Sequence, residues 1–286
     1  MTLPLFGPGG NSESFHAAGH KSTLDAPAWV RDFGLDAYEY EAGRGVSGTE
    51  AMFTKLGENA RAAGIRLSIH APYFISLSSL EEEKRKGSAK DIIDSARALK
   101  WMGAEGGTMV IHAGSAAKLD RSLAVEYAKA ALAYAIERLH EEGLYGFRLG
   151  IETMGKVGQL GTLSEVLALC TVDDCVVPVV DFGHMNAREQ GGVFTDADDY
   201  KRVFDEIAGA QGPETAENLH CHFSKIEYTA GGEKRHLTFA DTVFGPEPAP
   251  LMKAVRDLGV HPTFICESDG TQAEDALTMK QLYLAE

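Results

Sequence analysis

The chain predicts a single-domain (β/α)8 barrel, and three features of the sequence carry that prediction. Eight short runs rich in Val, Ile, Leu and aromatic residues recur roughly every 30 to 45 residues along 286 residues, a spacing that fits strands joined by crossovers. Helical patterns lie between them, so the strands should pair in parallel. No linker or low-complexity tract divides the chain, and eight such units over residues 1–286 suit one closed barrel better than the competing open, doubly wound sheet.

The strands are expected at LPLFG (3–7), AYEYE (37–41), RLSIHA (66–71), TMVIHAG (108–114), RLGIETM (148–154), PVVDFGH (178–184), LHCHFS (219–224) and TFICESD (263–269). Each is a short apolar run bounded by Gly, Pro or charge. The first helix is expected near 26–34. The next, over 47–64, has Thr49 as N-cap and Gly64 as stop. Residues 88–104 repeat apolar side chains at spacings of three and four. The clearest helix runs over 120–143, capped by Asp120 and ended by Gly143. Residues 162–170, 196–209, 248–259 and 271–286 complete the set.

Composition narrows the function. At 44% hydrophobic the chain can bury a full core. No run approaches the roughly 18 apolar residues of a membrane span, and the N-terminus has no basic flank before a long apolar stretch. The four cysteines form no C-x-x-C pair and read as reduced thiols, so a cytoplasmic protein is expected. GPGGNS (7–12) lacks the G-x-G-x-x-G spacing, so no nucleotide cofactor is expected. The net charge of −15 opposes non-specific attraction to nucleic acid.

The strand ends carry the chemistry. The third ends in His70, the fourth in His112, the fifth in Glu152, the sixth in Asp181, the seventh in His220 and His222, and the eighth in Glu267. The carboxyl ends of barrel strands face the side where active sites assemble. Imidazoles and carboxylates without thiolates suit Zn2+ or Mn2+ in an open catalytic site. His184, three residues past Asp181, and His236, in the loop expected after the seventh strand, extend the set. His220 and His222 point the same way by the two-residue period of a strand. His222 is preferred because HFSK follows it directly.

The succession HAPY, HAGS, IETMGK, DFGH, HFSK and CES resembles the endonuclease IV group (AP endonuclease family 2) within the xylose-isomerase-like TIM barrels. The likeness runs from about Ile69 to Glu267. It implies a zinc-dependent hydrolase that cuts the DNA backbone 5′ to abasic sites in DNA repair, with two or three zinc ions. In that pattern His70 and His112 hold one ion, which Glu152 bridges to a second held by Asp181, His222 and Glu267. His184 and His236 hold the third. Glu152 and Glu267 become the catalytic carboxylates, Tyr73 the side chain that enters the duplex, and Lys225 and Arg235 the phosphate contacts.

One position departs from the family. The resemblance places an aspartate two residues before His236, where this chain has Lys234. A protonated lysine cannot ligate a cation and repels one. The third ion is then weakened, absent, or completed by another group such as Glu233. Two other readings stand beside the nuclease. A sugar isomerase or epimerase needs one divalent cation, for which Glu152, Asp181, His222 and Glu267 suffice, and the acidic charge suits a small sugar. A non-catalytic barrel would keep its metal for stability alone, yet eight ligand-type groups exceed what a structural site needs.

Overall fold

Short runs of branched and aromatic residues do become strands, and each of the eight expected ones forms. The computed structural model describes residues 2–116 and 119–285. Ten strands occur among them: β1 (Leu5–Pro8), β2 (Ala37–Glu41), β3 (Arg66–His70), β4 (Thr108–Ile111), β5 (Arg148–Glu152), β6 (Val176–Asp181), β7 (His220–Phe223), β8 (Lys225–Thr229), β9 (Gly232–Leu237) and β10 (Thr263–Cys266). Eight are parallel neighbours in the order β1-β10-β7-β6-β5-β4-β3-β2. At the two ends of that order, Asp36 N donates to Phe6 O (2.8 Å) and Gly10 N to Glu39 O (3.0 Å), which brings the edges together into a nearly closed barrel. The approach is so tight that a Cβ on Gly7 would lie 1.9 Å from Ala37 O, so only glycine fits there.

The helices are α1 (Glu13–Ala17), α2 (Ala26–Asp32), α3 (Glu50–Ala63), α4 (Glu82–Met102), α5 (Arg121–Glu141), α6 (Leu163–Leu169), α7 (Phe182–Arg188), α8 (Ala197–Gln211), α9 (Pro213–Glu217), α10 (Pro248–Leu258) and α11 (Gln272–Leu284). Thr49 caps α3 and Gly64 ends it at φ +72°, as the sequence predicts. Asp120 caps α5, accepting from the backbone of Ser122 and Leu123. The helix expected over 271–286 ends at Leu284, and Glu286 lies outside the described residues.

Three local expectations shift. Helix α4 begins at Glu82 rather than 88, because its first turns are charged and carried by same-face ion pairs such as Glu82–Lys86, which leave no apolar period to read. The sixth strand stops at Asp181, whose carboxylate caps α7 by accepting from His184 N at 2.7 Å. The segment after β7, read as a loop, is the antiparallel hairpin β8–β9. Its strands are short and polar, so no alternation of apolar residues marks them.

The apolar core lies between the strands and the surrounding helices. Phe53 and Leu56 of α3, Ile92 and Leu99 of α4, Leu132 of α5 and Phe204 of α8 are all fully buried against it. Along each strand alternate side chains point into the barrel, so inward groups follow one another two residues apart, staggered from strand to strand. The layer at the carboxyl ends holds Gly9, Glu41, His70, His112, Glu152, Asp181, His222 and Glu267. The layer beneath, two residues earlier on each strand, includes Val110, Val179 and Ile265, together with Glu39, Ser68 and His220, all buried. Among the described residues no helix is long and apolar enough to cross a membrane.

Candidate metal centre at the barrel mouth

The register of the sheet sets strand-end groups side by side in pairs, with two-residue steps between some neighbouring strands. Glu41 of β2 stands beside His70 of β3, and Asp181 of β6 beside His222 of β7. Glu152 sits at the middle of the group, wholly buried. Its Oε2 lies 3.4 Å from His70 Nε2 and 2.8 Å from His112 Nε2. Its Oε1 lies 3.1 Å from His222 Nδ1 and 3.3 Å from His184 Nδ1. One carboxylate therefore faces two ligand sets with different oxygens. His222 Nδ1 is also 3.3 Å from Glu267 Oε1. Ligand atoms of Glu152, Asp181, His222 and Glu267 lie within 4.8 Å of one another, as do those of His70, His112 and Glu152.

A third set forms where the hairpin folds over the mouth. His184, Glu233 and His236 bring ligand atoms within 4.8 Å, with Glu233 Oε2 at 3.5 Å from His184 Nε2. The register of β8 and β9 explains how. Tyr228 pairs with Glu233 and Glu227 with Arg235, so Lys234 is the extra residue of a bulge. A bulge resets the two-residue alternation. Glu233 and His236, three apart, thereby face the site, while Lys234 is 55% exposed and pairs with Glu227 Oε1 at 2.5 Å. The carboxylate that faces His184 and His236 is that of position 233, one residue before the place the family resemblance assigns. Gly155 makes room for it: a Cβ there would lie 2.6 Å from Glu233 Cβ and 3.0 Å from His184 Cδ2.

Orienting contacts fix the rings. His70 Nδ1 is 2.7 Å from Ala71 O and His184 Nδ1 is 3.0 Å from Thr153 O. A carbonyl only accepts, so each Nδ1 carries a proton and each Nε2 is the nitrogen left to face the mouth. His236 Nδ1 is 2.9 Å from Ser224 Oγ. Tyr73 covers the group, its ring stacked on His112 at 5.6 Å and its hydroxyl donating to Glu41 Oε2 at 2.6 Å.

The protonation pattern shows how the buried groups balance one another's charge. Burial would depress His70, but Glu152 and Glu41 beside it push its ring up to about 10. Burial likewise opposes His222 and His184, yet the surrounding carboxylates raise both well above the ordinary imidazole value. Glu152, which burial alone would raise, is held well below the usual carboxylate range by His222 and His112. Burial lifts Glu267 to about 8 against the pull of His222, with Glu152 and Glu41 adding to the rise. Burial keeps His112 and His236 below the ordinary value. Buried oxygens Glu41 Oε1, Glu152 Oε2 and Asp181 Oδ2 accept no hydrogen bond. Protons on imidazoles thus balance a crowd of carboxylates, a role divalent cations fill without proton uptake. The donor set, imidazole and carboxylate around a mouth open to solvent, fits Zn2+ or Mn2+.

The structure places the expected substrate-binding cations away from the cavity wall. Lys225 is buried, its Nζ donating to Asp241 O at 2.7 Å and to Glu247 Oε1 at 2.6 Å. Arg235 pairs with Glu227 and is 65% exposed. Neither lines the mouth cavity of about 490 Å3, whereas Lys156 does. Sequence reasoning also missed Glu39 and Glu41. Their signal was AYEYE itself, in which acidic residues alternate with tyrosines on one strand. His222 is the member of the HCH pair that joins the mouth cluster; His220 lies one layer below, 3.0 Å from Glu39 Oε2.

Together these features define a parallel (β/α)8 barrel whose carboxyl-end mouth gathers imidazole and carboxylate side chains able to hold a metal from six strands, a helix and a hairpin. The chain belongs to the xylose isomerase-like TIM barrel family, which its residues 27–283 match. It is 32% identical over 251 residues to an uncharacterised protein of Methanocaldococcus jannaschii, covering 88% of each chain. Endonuclease IV from Thermus thermophilus shares the fold at a TM-score of 0.71 and 19% identity, over 99% of this chain and 98% of that one. L-ribulose 3-epimerase does so at 0.69 and 15%, over 99% and 95%.

Proposed function

We propose that the chain is a multinuclear zinc-dependent phosphodiesterase of the endonuclease IV type, acting on DNA 5′ to abasic sites. The observation that carries this reading is the third set, His184–Glu233–His236, adjoining the two sets that share Glu152. One-metal sugar chemistry has no use for that set, nor for His70 and His112 as ligands. His70, His112 and Glu152 would hold one ion, Glu152, Asp181, His222 and Glu267 a second, and His184, Glu233 and His236 a third. The ions would supply Lewis acidity that acidifies water and offsets charge on the phosphate.

The chain's own groups have separate tasks. Glu152 links two ligand sets through its two oxygens. Glu267, at the rim of the cavity, holds and moves a proton at its carboxylate. Tyr73 and the 59%-exposed Phe74 offer aromatic faces at the mouth, suited to an unstacked nucleotide. Lys156 brings a positive charge to the cavity wall. The test is cleavage of a duplex carrying one abasic site, with zinc restored after chelation. Nicking 5′ to the lesion by the wild type, lost in Glu152→Gln, supports the reading. Intact DNA at saturating zinc overturns it.

A sugar isomerase or epimerase remains the second reading, favoured by the completeness of the Glu152–Asp181–His222–Glu267 quartet and by the net charge of −15. Turnover of a ketose with one manganese per chain would establish it.

A further inference from the structure

The layer beneath the mouth holds polar groups where a barrel interior is ordinarily filled by branched aliphatic side chains. Glu39, Ser68 and His220 lie there, on the same strands that carry Glu41, His70 and His222 one layer above. Glu39 is wholly buried. Ser68 Oγ donates to Glu39 Oε2 at 2.6 Å, and His220 Nε2 lies 3.0 Å from that same oxygen. The other oxygen, Oε1, is 2.8 Å from His222 Nε2, a charge contact outside hydrogen-bond alignment that leaves both buried atoms without a hydrogen-bond partner. A buried carboxylate is costly unless partnered, so this arrangement calls for a reason.

The reason lies in His222. His70 and His184 turn Nε2 to the mouth and are oriented by backbone carbonyls on Nδ1. His222 is reversed: Nδ1 faces Glu152 and Glu267, and Nε2 faces down into the barrel. No carbonyl orients it. We propose that Glu39 is a positioning residue for the metal centre. With an ion on Nδ1 in place of its 3.1 Å hydrogen bond to Glu152 Oε1, Glu39 would keep the His222 proton on Nε2 and hold the ring towards Asp181, Glu152 and Glu267, and Ser68 and His220 in turn hold the Glu39 carboxylate. A carboxylate on the far nitrogen also raises the basicity of a ligating imidazole. Glu39 does not itself hold an ion in this scheme: Oε2 is taken by Ser68 and His220, and His222 covers it from the mouth.

This inference rests on the reading of the mouth as a metal centre, and the experiment separates the two. Zinc affinity is measured by chelator competition on wild type, Glu39→Gln and Ser68→Ala, alongside 15N NMR of the histidine rings in the zinc-loaded proteins. Glu39→Gln keeps the shape and removes the charge. It should weaken the ion at Asp181–His222–Glu267 by roughly 10–100-fold and move the His222 nitrogen signals, while the far-ultraviolet dichroism stays that of the wild type. Ser68→Ala should shift both in the same direction by less. If Glu39→Gln does not fold, Ser68→Ala carries the decision. Unchanged affinity and unchanged ring signals overturn the proposal, whatever happens to thermal stability. So does loss of one whole zinc equivalent in both Glu39→Gln and His220→Gln with His222 signals unmoved, which would make the lower layer a site of its own. A wild type that binds no divalent cation overturns the metal reading as well.

Discussion

Two neighbouring residues of the hairpin, Glu233 and Lys234, decide whether the third ligand set is real. The resemblance to endonuclease IV would repair this chain by Lys234→Asp. The bulge says otherwise, since Lys234 faces outward and pairs with Glu227. An exposed pair of this kind contributes roughly 0–1 kcal/mol, and Arg235 still holds Glu227 at 2.6 Å when Lys234 is gone. Lys234→Asp should therefore cost little stability and leave zinc content unchanged. Glu233→Gln should behave oppositely. Its carboxylate oxygens stand 3.5 Å from His184 Nε2 and 4.0 Å from His236 Nε2. Donors bound at about 2.0–2.1 Å to one tetrahedral zinc are roughly 3.3–3.4 Å apart, so shifts of well under about 1 Å complete the set. Loss of a mere orienting partner costs roughly 10–100-fold in metal affinity, so loss of a ligand should weaken the third ion by at least about 100-fold. Zinc per chain after dialysis against a buffered chelator reads both variants. A gain of zinc in Lys234→Asp, or full zinc in Glu233→Gln, would refute the bulge argument.

Three further outcomes follow from the same geometry. Gly155→Ala forces a methyl to 2.6 Å from Glu233 Cβ and should cost about 1–3 kcal/mol by overpacking, seen in chemical unfolding together with reduced zinc retention; an unshifted midpoint would contradict it. Glu152→Gln should lower zinc content by two ions at once, because its two oxygens face two ligand sets; loss of a single ion in metal analysis would deny the bridging role. Glu165, which does not line the mouth cavity, caps α6 and accepts from Arg121 and from the backbone of Gly161 and Thr162. Although burial opposes this, those partners hold its carboxyl near about 2 against an ordinary 4.5. A depressed folded-state value means the stabilisation is complete above about pH 4.5 and lost as the pH falls towards about 2. Glu165→Gln should thus cost about 2 kcal/mol at neutral pH, once screening of the partly exposed Arg121 is allowed for, and the gap to wild type should close on acidification in urea melts.

The fold was legible because a parallel barrel repeats one sentence eight times. Each strand is too short to identify alone, but the return of the pattern with a capped helix between, as at Thr49–Gly64 and Asp120–Gly143, excludes most other topologies. The strand-end histidines and carboxylates were legible for a related reason. A polar residue that closes an apolar run must leave the core at one end of the barrel, and six such residues at equivalent places share that end.

What escaped the sequence was polar chemistry placed by something other than a strand end. Glu39 and Glu41 sit within an expected strand, where Tyr38 and Tyr40 supply the aromatic signal and the acidic residues pass for the solvent side. A barrel strand has no solvent side: its outward face packs under helices, and the tyrosines take it, which sends both glutamates to the axis. Glu233 escaped for a subtler reason. Counting by twos from His236 selects Lys234, and only a bulge, invisible in composition, moves the selection by one. The hairpin that delivers Glu233 and His236 also pairs Lys225 with Glu247 and Arg235 with Glu227, away from the wall of the mouth cavity. A ligand set carried on an irregular hairpin rather than on a barrel strand is free to shift register while the strand-end sets stay fixed, so the third set is where this chain departs from the pattern it resembles and where differences in substrate between barrels of this family should be sought.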